Sequence, residues 1–384
     1  MVFSHCFEQG PIRPPSEAKS LLVRLTRNCP WNKCSFCPIY KGTRFSIRDV
    51  EEIRADIDAM AAAACEIKAL SWRLGEGGEV THTVAQEVFS GALGPNPGLR
   101  HIAFWLFAGG RNVFLQDANS LVMRSHEVAE VLAHLRERFP TIERITTYAR
   151  SATVARMKGE DLRLVREAGL TRVHIGLESG SDEVLKFMNK GTTADQHIKG
   201  GRNVVEAGLE LSEYVMPGLG GRRWTREHAH ATARVLNEIN PDFIRLRSLH
   251  VHRAMPLSED VAAGRFELLA DDEVAAEIRL FIERLDGITS RVVSDHILNL
   301  LEEIDGKLPD ERDAIMAIID AYRALPESDR ILYILARRAG LARGTDDLHD
   351  PQVRMRAERI RERLGIIDMK ESAEKARELM DGYI

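Results

Sequence analysis

From Ser20 onward, hydrophobic and polar positions follow two alternating rhythms. Short runs rich in branched and aromatic residues are each followed by a longer stretch with apolar residues three to four apart. The runs at 20–27, 112–118, 144–150, 172–179, 209–218 and 243–251 read as strands. The stretches at 48–65, 125–139, 159–169, 182–207 and 225–239 read as helices, with Ser125 placed to cap one and Gly169 to stop another. Strands separated by helices pair in parallel through right-handed crossovers. The pattern predicts an α/β chain, a partial (β/α)6 TIM-like barrel over residues 20–285 with an N-terminal extension at 1–19. Residues 66–111 break the rhythm and read as an insertion. Residues 286–384 read as mainly helical, with a late strand at 288–294.

Alternate strand residues face opposite sides of a sheet. In "RVHIGLES", Val173, Ile175 and Leu177 share one face, and His174, Gly176 and Glu178 the other. Tyr148 and Arg150 share a face, as do Arg245 and Arg247. A purely structural barrel interior is filled by branched apolar residues, so polar inward positions predict a lumen that binds something polar. For residues 209–216 the alternation does not decide which face is inward.

Composition narrows the class. Of 384 residues, 44% are hydrophobic and 29% charged, enough apolar material for a large core. A net charge of −5 gives no global field to hold nucleic acid. No run approaches the ~20 apolar residues of a membrane helix, and the N-terminus has no basic region followed by an apolar run. Five cysteines, an odd number, argue against a disulfide framework and for a reducing cytoplasm.

Three of those cysteines, Cys29, Cys34 and Cys37, follow the first strand with spacing C-x4-C-x2-C. A [4Fe–4S] cluster normally takes four cysteine ligands; held by three, it keeps one iron open to a small molecule. Arg27, Lys33, Lys41 and Arg44 would favour the thiolate forms. The rival reading is a zinc site completed by His5, Cys6 or Cys65. The local motif leaves both open, and its setting at the end of a strand favours the cluster.

These residues, with "HIGLESGSDEVLKFMNKG" at 174–191 and "AGLELSEYVMPGLGG" at 207–221, carry a family likeness. Over roughly residues 20–285 the chain resembles the radical S-adenosylmethionine (SAM) superfamily, in the branch near the oxygen-independent coproporphyrinogen oxidases and the catalytic Elongator subunit. Four residues separate Cys29 from Cys34 where the usual motif has three, which we take as a subgroup feature. The resemblance implies a [4Fe–4S] cluster on the three cysteines, chelation of SAM at the open iron, and a 5′-deoxyadenosyl radical that abstracts hydrogen from a substrate. It also implies an external reductant such as flavodoxin or ferredoxin.

The resemblance places Phe36 beside the adenine, Glu178 and Ser179 near the ribose and methionine, and Met216 and Gly218 in a turn that cradles the adenine. The bland readings are a hydrophobic plug for Phe36, a pairing of Glu178 with Arg150, and a tight turn for the glycines. The motif for the methionine amino group has a literal match at Gly77, Gly78 and Glu79, inside the insertion. Gln116, Asp117 and Asn119 at the end of the second strand are preferred for that role, and Tyr148 and Arg150 complete the cofactor-binding candidates. Asp295 and His296, after the late strand, are candidates for proton transfer, with helix capping the alternative for Asp295. Arg245 and Arg247 could bind a carboxylate or phosphate bidentately, or pair internally with Glu178 or Glu213. His250 and His252, two apart at a strand end, could contact substrate or bind a metal, the commoner alternative for such a pair being a solvent-facing position.

Cys6 and Cys65 are too few for a second cluster, and no separate cobalamin-type domain is evident. The expected function is a cytoplasmic radical SAM enzyme acting on a small molecule or other unknown substrate. The alternatives are a tRNA-modifying enzyme of the same chemistry, which the net charge disfavours, and a non-catalytic zinc or iron–sulfur protein.

Overall fold

A computed structural model describes residues 6–380. Eight strands succeed one another in chain order in one mostly parallel sheet: β1 Leu21–Arg24, β2 Asn112–Gln116, β3 Arg144–Ala149, β4 Arg172–Glu178, β5 Glu210–Val215, β6 Phe243–Leu246, β7 Arg291–Val293 and β8 Asp305–Lys307. This is the mixed α/β class with parallel strand pairing that the alternating rhythm predicts. The chain divides into two compact units. One comprises residues 1–32, 39–174 and 203–210, and the other 33–38, 175–202 and 211–384.

In the first unit β1 pairs in parallel with β2, and β2 with β3. Helix α1 (Val50–Arg73) lays Ile53, Ile57, Met60, Ala64 and Ile67 into the core and packs against α3 (Pro97–Phe107) and α4 (Ser125–Arg138). Each large apolar side chain so buried contributes roughly 1.5–3 kcal/mol. Between α1 and α3 lies α2 (His82–Ser90), and beyond α4 comes α5 (Gly159–Glu167). The segment 66–111 is therefore helical. Helix α1 runs on to Arg73 because its apolar stripe continues through Leu70 and no glycine or proline intervenes before Gly75. Ser125 is the first residue of α4 and not its cap; Arg124 takes that place, its amide donating to the Glu127 carboxylate at 3.3 Å.

In the second unit β5 pairs in parallel with β6, and β6 with β7, whereas β8 joins β7 antiparallel. Where one helix was expected at 182–207 there are two, α6 (Asp182–Phe187) and α7 (Ala194–Glu206). Left-handed Asn189 and Gly191 break the run, and Ser181 caps α6 by accepting the Val184 amide. Helix α8 (Gly221–Ile239) starts earlier than the apolar pattern suggested. The late strand spans three residues, and 295–304 is turn-rich. Helices α9 (Asp271–Glu283), α10 (Arg312–Ala324), α11 (Glu327–Arg338), α12 (Pro351–Leu364) and α13 (Met369–Met380) complete the unit. Among the described residues no helix is long and apolar enough to cross a membrane.

Candidate functional site

Cys29 lies in the first unit, just past β1, and is half-buried. Asn32, with φ of 46°, points its amide at the Cys29 sulfur, 3.4 Å away. That left-handed conformation is one that asparagine tolerates better than most residues. It is held by the Asn32 side chain, which donates to the Tyr40 carbonyl, and by Lys41 Nζ, which donates to the Asn32 carbonyl at 2.9 Å. The Arg150 guanidinium lies 5.1 Å from the Trp31 ring centroid, a cation–π distance.

The residues after β2 are engaged with the protein itself. Gln116 Nε2 donates to the carbonyls of Gly10 and Ile12 at 3.1 and 2.6 Å, and its Oε1 accepts the Gly10 amide at 2.8 Å. Asp117 is fully buried and accepts from Arg24 Nε at 2.8 Å and the Asn28 amide at 3.1 Å. Burial raises its pKa, opposed by those donors. Only glycine fits at position 10, because a Cβ there would lie 1.9 Å from Asp117 Oδ1. Asn119 accepts the Arg150 amide at 3.0 Å and donates to Thr153 Oγ1 at 2.9 Å. The Tyr148 ring meets those of Phe114 and His174, with centroids 5.4 and 5.5 Å away.

Cys34 and Cys37 belong to the second unit, where the Cys37 amide donates to the Cys34 carbonyl at 3.4 Å. Between them Phe36 is buried among Val184, Met188, Met216 and Leu219, and both cysteines pack against this cluster. The Ser35 amide donates to the Met188 carbonyl, and the Ser35 carbonyl accepts the Leu257 amide, both at 2.9 Å. Lys190 Nζ lies 5.5 Å from the Phe36 ring centroid and 3.0 Å from Glu178 Oε1. Glu178 has φ of 63°, and its carbonyl accepts the Met216 amide at 3.0 Å, joining the ends of β4 and β5.

Several residues gain roles that the sequence left unassigned. Lys190, in "MNKG", is the pairing partner of Glu178. Glu213 was weighed as a partner for Arg245; instead Arg245 pairs with Asp295 at 2.6 Å and donates to Ser212 Oγ at 3.2 Å. Glu213 is completely buried, and neither carboxyl oxygen has a hydrogen-bond partner among the described residues. Burial pushes its pKa well up, reinforced by Glu178 and opposed by Lys190. A carboxylate set between buried Leu211 and the buried pair Tyr214 and Val215 was the available signal. Asp295 caps no helix, since turns and a short strand separate it from the next helix at Arg312. His296 Nδ1 accepts the Leu298 amide at 3.2 Å, and burial with Arg247 and Arg337 nearby pushes its pKa down to about 3, which leaves a neutral, weakly basic imidazole. Gly77 and Glu79 sit in an exposed turn, and the Glu79 carbonyl accepts from Ser71 Oγ at 2.5 Å.

No cysteine is in a disulfide, and Cys6 and Cys65 are exposed. His5, weighed as a zinc ligand, lies outside the described residues. Among the described residues no three His, Cys, Asp or Glu side chains converge on a single metal ion. An iron–sulfur cube takes each cysteine on a different iron. Cys34 and Cys37 in the second unit and Cys29 in the first, where it faces a backbone N–H, are unbridged and have the thiol chemistry that such a cube takes.

Residues 99–235 match the Radical SAM superfamily. Over 86 residues the chain is 29% identical to the tRNA uridine(34) acetyltransferase of Methanocaldococcus jannaschii, a match covering 22% of this chain and 15% of that protein. Among solved structures it is similar to Elp3 from Methanocaldococcus infernus, at 16% identity and a TM-score of 0.41, covering 56% of this chain and 55% of that one. It is also similar to the coproporphyrinogen III oxidase of Escherichia coli, at 17% identity and a TM-score of 0.41, covering 69% and 52%. The chain thus spans about half the length of these solved relatives and a smaller part of the curated one.

Proposed function

We propose that this chain, which carries a radical SAM domain, is an enzyme that cleaves S-adenosylmethionine reductively and uses the radical released to abstract hydrogen from a substrate. The observation that carries the reading is the packing of Cys34 and Cys37 against Phe36, itself under the Lys190–Glu178 pair. This sets a thiol pair, an aromatic face and a charged pair side by side.

Cys29, Cys34 and Cys37 would hold the cluster, which supplies the electron when bound. The Asn32 amide would donate to the Cys29 thiolate and stabilise its charge. Phe36 would offer a face to the adenine, and Met216 and Gly218 the backbone groups of the turn beside it. Glu178 and Ser179 would bind ribose or methionine oxygens and nitrogen. Gln116, Asp117 and Asn119, tied to neighbouring backbone, would act as preset polar groups toward the amino group, with Tyr148 and Arg150 beside them. Asp295, paired with Arg245, and His296, a neutral imidazole, would handle protons. The substrate is a small molecule or another group of undetermined class, and an external reductant such as flavodoxin or ferredoxin would supply electrons in the cytoplasm.

The decisive experiment incubates anaerobically reconstituted, reduced protein with SAM. Formation of 5′-deoxyadenosine is expected; its absence with an intact cluster would overturn the reading. The short likeness to a tRNA uridine(34) acetyltransferase favours a second reading, action on tRNA. Strongly salt-dependent tRNA binding would support it, against a net charge of −5.

A further inference from the structure

Behind the turns at 178–181 and 216–221 runs a buried polar chain whose inner members, His228 and Glu277, the proposed chemistry does not use. Ser179 Oγ lies 2.9 Å from His228 Nδ1, and His228 Nε2 lies 3.7 Å from Glu277 Oε1. Glu277 Oε1 accepts the Gly218 amide at 2.6 Å, and Oε2 accepts from Thr225 Oγ1 at 2.6 Å. Ser179, His228 and Glu277 are at most 4% exposed. The imidazole thus faces a hydroxyl at Nδ1 and a carboxylate at Nε2.

The two turns meet this chain from separate strands. The Ser179 turn rests on α8, with the Gly180 amide donating to Thr232 Oγ1 at 2.9 Å. A Cβ at Gly180 would lie 2.3 Å from the Ala231 carbonyl oxygen, so backbone packs on backbone. Gly218, with φ of 86°, has its amide bound by Glu277 of α9. A buried His–Glu pair is a poor source of stability compared with apolar side chains of similar volume. Direction comes from the hydrogen bonds on either side of the pair, His228 with Ser179 and Glu277 with Gly218 and Thr225, because each sets an angle as well as a distance.

We propose that His228 and Glu277 are positioning residues that clamp the Ser179 turn and the Gly218 turn in one fixed register for the adenosyl group of the bound ligand. The inference rests on the functional reading above, since both turns are there assigned to SAM. Neither residue touches the ligand. The clamp fixes the peptide groups and the Ser179 hydroxyl in place before the ligand arrives, so less ordering is needed on binding.

The test uses anaerobically reconstituted full-length protein and SAM itself as the probe. SAM affinity is measured by equilibrium dialysis, together with the SAM-induced change in the electron paramagnetic resonance of the reduced cluster. H228F, which keeps a planar aromatic ring and removes both polar links, should bind SAM about tenfold more weakly, the loss expected of about one hydrogen bond's worth of orientation. It should retain wild-type iron content and melting temperature. H228N keeps a partner for Ser179 but does not reach Glu277, and should recover part of the affinity and of the spectral change. Equal SAM affinity in wild type and H228F overturns the clamp alone. So does a loss that merely tracks unfolding in both variants. Failure of the wild type to bind SAM overturns the functional reading and the clamp with it.

Discussion

Lys190 Nζ lies 3.0 Å from Glu178 Oε1, and each side chain is only 13% exposed. Removing one member of such a pair leaves the other charge with little water to replace it. Lys190→Met should destabilise the protein by about 2 kcal/mol, somewhat less than for a fully buried pair. Adding Glu178→Gln should return part of that loss. Urea denaturation of both variants checks this; an unchanged midpoint for the single variant would show that solvent already screens the pair.

Glu213 ties stability to pH. Its folded-state pKa is raised by burial and by Glu178 beyond the effect of Lys190, so the folded form keeps a proton that the unfolded chain has lost. Stability is then greatest below the unfolded carboxyl pKa and falls as pH rises toward the folded value, by at most about 1.4 kcal/mol per pH unit. Glu213→Gln should be more stable than wild type at pH 8, with the difference shrinking toward pH 4.5. Melting curves across that range measure it, and parallel profiles for the two proteins would contradict the assignment.

Asn32 holds its left-handed turn through its own side chain. Asn32→Ala should cost about 1–2 kcal/mol locally, whereas Asn32→Gly should keep the backbone shape at smaller cost. Iron retained after anaerobic reconstitution should follow the order wild type, Gly, Ala. The reverse order would mean that the turn does not serve the Cys29 sulfur.

Gly10→Ala drives a Cβ into Asp117. The segment must move, loosening its three hydrogen bonds with Gln116. Overpacking of this kind costs about 1–3 kcal/mol. Limited proteolysis should cut the variant near residues 8–13 faster than wild type, and equal rates would show that the segment is not anchored there.

Much of this architecture was legible along the chain. The alternation of strand and helix depends on neighbours a few positions apart, and so does the placing of three cysteines in one loop. The alternative reading of Phe36 as a hydrophobic plug beside Cys34 and Cys37 was legible too, because all three share that loop. The reading stumbled where a local pattern had two outcomes. An alanine-rich stretch carried α1 on to Arg73. Left-handed Asn189 and Gly191 cut one expected helix in two. Residues 295–304 proved turn-rich, where a helical run was expected.

What the chain by itself determined is the order of its elements and the thiol spacing, because both arise from contacts within a few residues. Which polar groups meet was decided only by folding. Ser179 meets His228 across 49 positions, and Gly218 meets Glu277 across 59. Arg245 takes Asp295 and leaves Glu213 buried without a hydrogen-bond partner among the described residues. Such pairings depend on strand register and helix placement, which apolar packing sets over the whole unit. No short stretch of sequence contains that information.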